Sequence, residues 1–147
     1  MCKKELILCV DDEENQLAVR KLVLESKGYE VLTAASGRQA LGLLAQHQVD
    51  LVLSDHLMPG LTGAELARQI KAQTPELPVI LISAVNEIPA DAANADLFMS
   101  KLDGPMAMCE NIAAMLARTR AARATPDSAV PIQQQSPRGN RTGAPWA

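Results

Sequence analysis

Five polar residues stand at or just beyond the ends of short apolar runs. They are Asp11 and Asp12 after Leu6 to Val10, Asp55 after Val49 to Leu53, Ser83 after Val79 to Ile82, and Lys101 after Leu97 to Ser100. Three carboxylates brought to one crevice repel each other by about 1–4 kcal/mol per close pair, depending on the local dielectric, and a cation relieves that. Ligation by carboxylates, a carbonyl and water suits Mg²⁺ far better than zinc, and neither His nor Cys is placed to change the preference. With Mg²⁺ held, one carboxylate can act as nucleophile towards a phosphoryl group and carry it as an aspartyl phosphate. Lys101 then offers a point charge to the phosphoryl oxygens and Ser83 a hydroxyl donor, so catalysis consists of positioning and charge neutralisation. Each residue alone has a plainer use. An Asp pair before a helix caps it, Asp55 ahead of Met58-Pro59-Gly60 can be a turn residue, Ser83 can bond backbone, and Lys101 can be a solvated charge. Joint action depends on a fold that brings these positions to one edge.

The apolar runs supply that fold. Leu6 to Val10, Val49 to Leu53 and Val79 to Ile82 are nearly continuous in Leu, Ile and Val, which suits strands buried on both faces of a parallel sheet. Glu30 to Ala34 and Leu97 to Ser100 are weaker candidates. Between them, Val19, Leu22 and Val23 recur at helical spacing up to Gly28, a C-terminal cap. Ser36 is a cap candidate ahead of Leu41, Leu44 and Ala45, and Thr62 with Glu65 forms a capping box ahead of Leu66, Ala67 and Ile70. Met108, Ile112, Met115 and Leu116 make the stripe of a last helix. This alternation predicts an α/β fold with right-handed crossovers, a doubly wound parallel sheet of five strands and helices on both faces. Ligands of such sheets bind beyond the carboxyl ends of the strands, where the five polar residues fall.

Composition sets the limits. The 147 residues suit one domain with a core of its own. Only one Trp, one Tyr and one Phe occur, so a base-stacking platform is not expected. A net charge of −3 argues equally against direct nucleic-acid binding. Cys2, Cys9 and Cys109 are odd in number and lack CxxC spacing, which indicates no disulfide framework or zinc site and suits the cytoplasm. No apolar run reaches membrane-spanning length, so no membrane insertion is expected. From Ala121 to Ala147, prolines, glycines and Gln133-Gln134-Gln135 replace aliphatic periodicity, which reads as a flexible Pro/Gln/Ala-rich tail behind a domain over 1–120. With Arg123, Arg138 and Arg141 against Asp127 the tail is +2, leaving −5 for residues 1–120.

The runs Leu8-Cys9-Val10-Asp11-Asp12-Glu13-Glu14-Asn15, Leu53-Ser54-Asp55-His56-Leu57-Met58-Pro59-Gly60-Leu61-Thr62-Gly63, Pro78-Val79-Ile80-Leu81-Ile82-Ser83-Ala84 and Phe98-Met99-Ser100-Lys101 together resemble the receiver domain of two-component response regulators, over about residues 4–120. The resemblance, to stand-alone, chemotaxis-regulator-like members, implies a flavodoxin-like strand order 2-1-3-4-5. It implies Asp55 as phosphoacceptor, Asp12 and Asp55 as Mg²⁺ ligands, Asp11 reaching the metal through water, and the backbone carbonyl of Leu57 as a further ligand. Ser83 takes the family's Ser/Thr position, Lys101 its lysine, and Phe98 its rotating aromatic switch position, so that Ser83 and Phe98 form the switch.

The chain also departs from the family. Leu102 follows Lys101 where the family has a Pro preceded by a cis peptide, a form costly before any other residue, so a different loop is expected there. The spacing from Ser83 to Lys101 is short, and Ile88 to Asn94 lacks apolar periodicity, so the fourth helix is expected to be short, displaced or absent. His56 should point to solvent or line the site mouth rather than ligate metal, and His47 should be surface. Cys9 reads as a small core residue. Met106, Met108 and Met115 read as gap-fillers on the last helix, and Trp146 as part of the disordered terminus.

The expected function is a single-domain response regulator, not an enzyme. It would take a phosphoryl group from a sensor histidine kinase or histidine phosphotransfer protein onto Asp55 and signal to a downstream protein target. It would assist its own phosphorylation and dephosphorylation, and the tail is too short for a DNA-binding output domain. The rivals are a phosphorylation-independent pseudo-receiver scaffold, a small phosphoaspartate enzyme such as a phosphatase, and a flavin-binding protein of similar topology. The phosphatase lacks a second Asp two residues past Asp55. The flavin reading lacks a phosphate loop after the first strand, where Asp11 to Glu14 would repel phosphate.

Overall fold

The computed structural model describes residues 4–83 and 95–124. In chain order the elements are β1 Leu6–Val10, α1 Glu14–Ser26, β2 Glu30–Ala34, α2 Gly37–Gln46, β3 Leu51–Asp55, α3 Gly63–Gln73, β4 Val79–Ser83, β5 Leu97–Ser100, a 3-10 turn Lys101–Asp103, and α4 Gly104–Ala124. The five strands form one parallel sheet in the order β2-β1-β3-β4-β5, as expected. The expected helix between β4 and β5 falls on residues 84–94, outside the described residues, as do 125–147 of the expected tail. Residues 121–124, where that tail was expected to begin, belong to α4.

The continuous apolar runs form strands because both faces are covered. Every residue of β3 and β4, and all of β1 past Leu6, is buried. On one face, Leu8, Val10, Val52, Val79 and Leu81 share a cluster with Ala40 of α2 and Ala64, Ala67 and Ile70 of α3. On the other, Cys9, Leu53, Ile80 and Ile82 are buried. There α1 and α4 meet the sheet across a cavity lined by Val19 and Val23, Ile82 and Met99, and Pro105 and Met108. Each fully buried aliphatic side chain contributes about 1.5–3 kcal/mol.

Helix ends form where the sequence signals them. Ser36 Oγ accepts from the Gln39 N–H at 3.1 Å. Thr62 Oγ1 accepts from the Glu65 N–H at 3.2 Å while Glu65 Oε1 accepts from the Thr62 N–H at 3.3 Å, a reciprocal cap that satisfies two backbone donors of α3. Gly28 closes α1 at φ +95°; its N–H donates to the Glu25 carbonyl at 3.0 Å.

Three expectations are corrected. The third strand starts at Leu51, not Val49. Val49 is buried, but next to it the Asp50 carboxylate takes the Leu6 N–H at 2.8 Å, replacing a backbone acceptor. In α1 the buried residues are Leu17, Arg20 and Leu24, whereas Val19 and Leu22 are exposed, so the helix is turned relative to the apolar spacing. Met106 is 77% exposed and fills no gap; Met108 and Met115 are buried as expected.

The chain divides into two units at Ala114. The sheet, α1 to α3 and the first turns of α4 lie in the first. In the second, the Thr119 hydroxyl donates to the Met115 carbonyl at 3.0 Å and Arg120 Nε to that of Leu116 at 3.4 Å. No helix among the described residues is long and apolar enough to cross a membrane.

Candidate functional site

Parallel pairing sets the carboxyl ends of β1 and β3 side by side. Asp11 directly follows β1 and continues its pairing with β2, its N–H donating to the Ala34 carbonyl at 3.1 Å. Asp55 is the last residue of β3. Asp11 and Asp55 are buried and Asp12 is exposed; carboxylate oxygens of all three lie within 4.8 Å of one another. Lys101 Nζ stands 3.4 Å from Asp55 Oδ1.

Asp55 is held from behind. The next N–H, of His56, donates to the Ile82 carbonyl at 2.9 Å, and the His56 carbonyl accepts from the Gly63 N–H at 2.8 Å. Between them the chain reverses through Met58-Pro59-Gly60, with Gly60 at φ +82°, a left-handed conformation that favours glycine. Ser54 Oγ donates to the Asp55 carbonyl at 2.8 Å. Burial raises the Asp55 carboxyl above its ordinary pKa of 3.8, repulsion from Asp11 adds to the rise, and Lys101 and Arg20 offset part of it.

Lys101 opens the 3-10 turn that follows β5. Where Leu102 replaces the family's proline, the turn is fixed by reciprocal capping. Ser100 Oγ accepts from the Leu102 N–H at 3.1 Å and Asp103 Oδ2 from the Ser100 N–H at 3.0 Å.

The remaining candidates are located by register. Ser83 ends β4, buried, one step beyond the Asp55 and Ile82 pair. Leu57 lies two residues past Asp55 with its side chain exposed. Phe98, in β5, pairs in register with Leu81 and is half-buried. Its ring meets that of His56 edge-on at a centroid distance of 6.3 Å. His56 is therefore not directed to solvent. It is 9% exposed, stands outside the carboxylate cluster, and its Nδ1 has no hydrogen-bond partner among the described residues. His47 is exposed. Cys9 is fully buried, and that burial pushes its thiol up to about 12.

Arg20 was missed by the apolar spacing. It is 7% exposed, and its Nη1 donates to Asp11 Oδ2 at 2.9 Å. Its Nη2 donates to Gln16 Oε1 at 3.1 Å, and Gln16 Nε2 to Glu13 Oε1 at 2.8 Å. The Glu13 N–H donates to the other oxygen of Asp11 at 3.0 Å. A signal was present: Arg20 shares an i, i+3, i+7 stripe with Leu17 and Leu24, where a long side chain buries its stem and pairs its head.

Three converging carboxylates, two buried and one open to solvent, make an all-oxygen set that fits Mg²⁺. The family model for the response regulator receiver domain matches residues 7–113. This chain belongs to that family. Receiver domains are signalling domains that interact with histidine kinases or phosphotransfer proteins. Among curated relatives of this receiver domain, Response regulator GtcR of Aneurinibacillus migulanus is 37% identical over 116 residues, 76% of this chain and 48% of that protein. The phosphate regulon transcriptional regulatory protein PhoB of Pseudomonas aeruginosa is 34% identical over 133 residues, 86% of this chain and 56% of that protein. The chain thus spans about half the length of the curated relatives it matches. Among solved receiver structures, the response regulator TrrA of Thermotoga maritima, in complex with Mg²⁺-BeF, is 31% identical with TM-score 0.72, covering 76% of this chain and 98% of that one. A CheY-like receiver domain protein of Methanospirillum hungatei is 26% identical with TM-score 0.77, covering 82% of this chain and 99% of that one.

Proposed function

We propose that this receiver domain accepts a phosphoryl group on Asp55 from a phosphohistidine of a sensor kinase or phosphotransfer protein, and signals by protein contact. One observation carries the reading: a buried Asp55 carboxylate beside Asp11 and Asp12, within 4.8 Å, with Lys101 Nζ 3.4 Å away. Burial and the repulsion of Asp11 disfavour a bare negative charge on Asp55, so its ionised, nucleophilic form is in want of positive charge.

In the transfer, an Asp55 oxygen forms a bond to phosphorus as the phosphorus–nitrogen bond of the donor breaks. The electron pair stays on the imidazole, which leaves neutral because its other nitrogen carries a proton. Asp11, Asp12, Asp55 and the Leu57 carbonyl would hold Mg²⁺, which when bound supplies positive charge to the phosphoryl oxygens. Lys101 balances charge on the same oxygens, and Ser83 donates its hydroxyl to one of them. Those bonds favour the conformer in which Ser83 and Phe98 close towards the phosphoryl group, and the shift changes affinity for a target. The same groups assist hydrolysis of the aspartyl phosphate, so the domain turns over no separate substrate. The charge of −5 over residues 1–120 favours a protein target over direct nucleic-acid contact. Free Cys9 and Cys109 suit the cytoplasm.

The test is the intact mass after incubation with Mg²⁺ and a small-molecule phosphoryl donor. One base-labile phosphate adduct is expected, lost without metal and lost in Asp55→Asn. No adduct, or one that survives in Asp55→Asn, overturns the reading and leaves the phosphorylation-independent scaffold in its place.

A further inference from the structure

We infer that Arg20 is a built-in counter-ion of the acidic centre, which holds Asp11 in the metal-free chain and lowers the affinity of the site for Mg²⁺. The inference rests on the reading of Asp11, Asp12 and Asp55 as the Mg²⁺ site.

A guanidinium does not lose its proton, so burying it demands a permanent partner. Arg20 has one in Asp11, at 2.9 Å with side-chain exposures of 9% and 0%. Both oxygens of Asp11 are thereby engaged, Oδ2 by Arg20 and Oδ1 by the Glu13 N–H. Gln16 braces the arrangement by bonding Arg20 on one side and Glu13 on the other. Lys101 neutralises the cluster from the Asp55 side and Arg20 from the Asp11 side. Three carboxylates with these two cations carry a net charge of −1, so a divalent ion entering an undisturbed cluster would leave it positive. Entry is therefore in competition with Arg20. The side chain has somewhere to go: Arg20, Gln16 and Lys101 all line the cavity of about 300 Å³ between α1 and the start of α4. Arg20 is thus a positioning residue for Asp11, and its charge is felt by any cation bound there.

The experiment is a calorimetric titration of the full chain with Mg²⁺ and no phosphoryl donor, comparing the original sequence with Arg20→Met and Arg20→Lys. Methionine keeps the apolar stem and removes the charge. A unit charge a few ångströms from a divalent ion is worth about a tenfold change in affinity even at the dielectric of water. Arg20→Met should therefore bind Mg²⁺ about tenfold more tightly. Arg20→Lys retains a compensating charge for Asp11 but loses the fork shared with Gln16; it should bind more tightly than the original and less tightly than Arg20→Met. If Arg20→Met does not fold, Arg20→Lys decides. Affinity unchanged or weaker in the folded variant overturns the inference, as does the lack of Mg²⁺ binding in every protein. A merely structural arginine would move stability and leave Mg²⁺ affinity alone. Failure of Asp55 to take up phosphate in the mass experiment would leave this titration untouched, so the two readings fall separately.

Discussion

Gly63→Ala is expected to cost about 3 kcal/mol or more of stability and to lower the melting temperature by about 10 °C. Gly63 is the first residue of α3 and lies directly behind the end of β3, where Asp55 stands. A Cβ built there collides with the Asp55 carbonyl oxygen and falls 2.9 Å from His56 Cα and 3.0 Å from a Leu81 methyl. The first two obstacles are backbone, and they are tied in place by the bond from the Gly63 N–H to the His56 carbonyl. Relief requires α3 to move off β3, which opens the face built by Ala64 and Ala67 and displaces Asp55 itself. Gly42→Ala is the matched control. That position is inside α2 with nothing within 4 Å of an added Cβ, so alanine should stabilise by about 0.5–1 kcal/mol. Thermal unfolding of the two variants should give shifts of opposite sign. A Gly63→Ala protein as stable as the original would mean that the close approach of α3 to Asp55 is not needed.

Asp55→Asn is expected to raise the stability of the metal-free protein at pH 7 by about 1–2 kcal/mol, several degrees in melting temperature. The Asp55 carboxyl is raised above 3.8, first by burial and then by Asp11. Between the ordinary value and the raised one, the folded chain thus holds a proton there that the unfolded chain has already lost. Stability contributed by this group is greatest at and below the ordinary carboxyl range and falls as pH rises through the raised value. At pH 7 the ionised carboxylate is a net cost, and asparagine removes it. The stability difference between Asp55→Asn and the original should therefore grow as pH climbs above the ordinary carboxyl value of 3.8 and level off once the folded carboxyl is fully ionised. Added Mg²⁺ should reverse the ranking, since only the original keeps all three carboxylates and the larger binding free energy. Chemical denaturation at a series of pH values, with and without Mg²⁺, reads both effects. A destabilised Asp55→Asn without metal would show that the Lys101 pair outweighs burial and repulsion.

Strand positions were legible because burial on both faces demands uninterrupted apolar residues, as in Leu51 to Leu53 and Val79 to Ile82. The caps at Ser36 and Thr62 were legible because they are local, and the approach of Asp11, Asp12, Asp55 and Lys101 followed once strand order was known. Phasing of α1 was not legible, because periodicity weighs residue types. Val19 and Leu22 are apolar yet exposed, while Arg20 is charged yet buried through its pairing with an acid nine residues earlier. His56 escaped for a similar reason. A histidine beside the end of a strand gives no local sign that Phe98, far along the chain, will meet its ring edge-on.

The sheet order also divides the site by how readily its parts let go. Asp11 and Asp55 follow or end β1 and β3, each flanked by a strand on both sides, and strands so placed open only when the whole molecule does. Lys101 hangs from β5, the short edge strand that, among the described residues, has a partner on one side only. Amide hydrogen exchange should therefore be slowest along β1 and β3 and faster through β5. In brief edge openings the lysine departs while the acids stay assembled, so its escape is a sub-global event that leaves the rest of the sheet native.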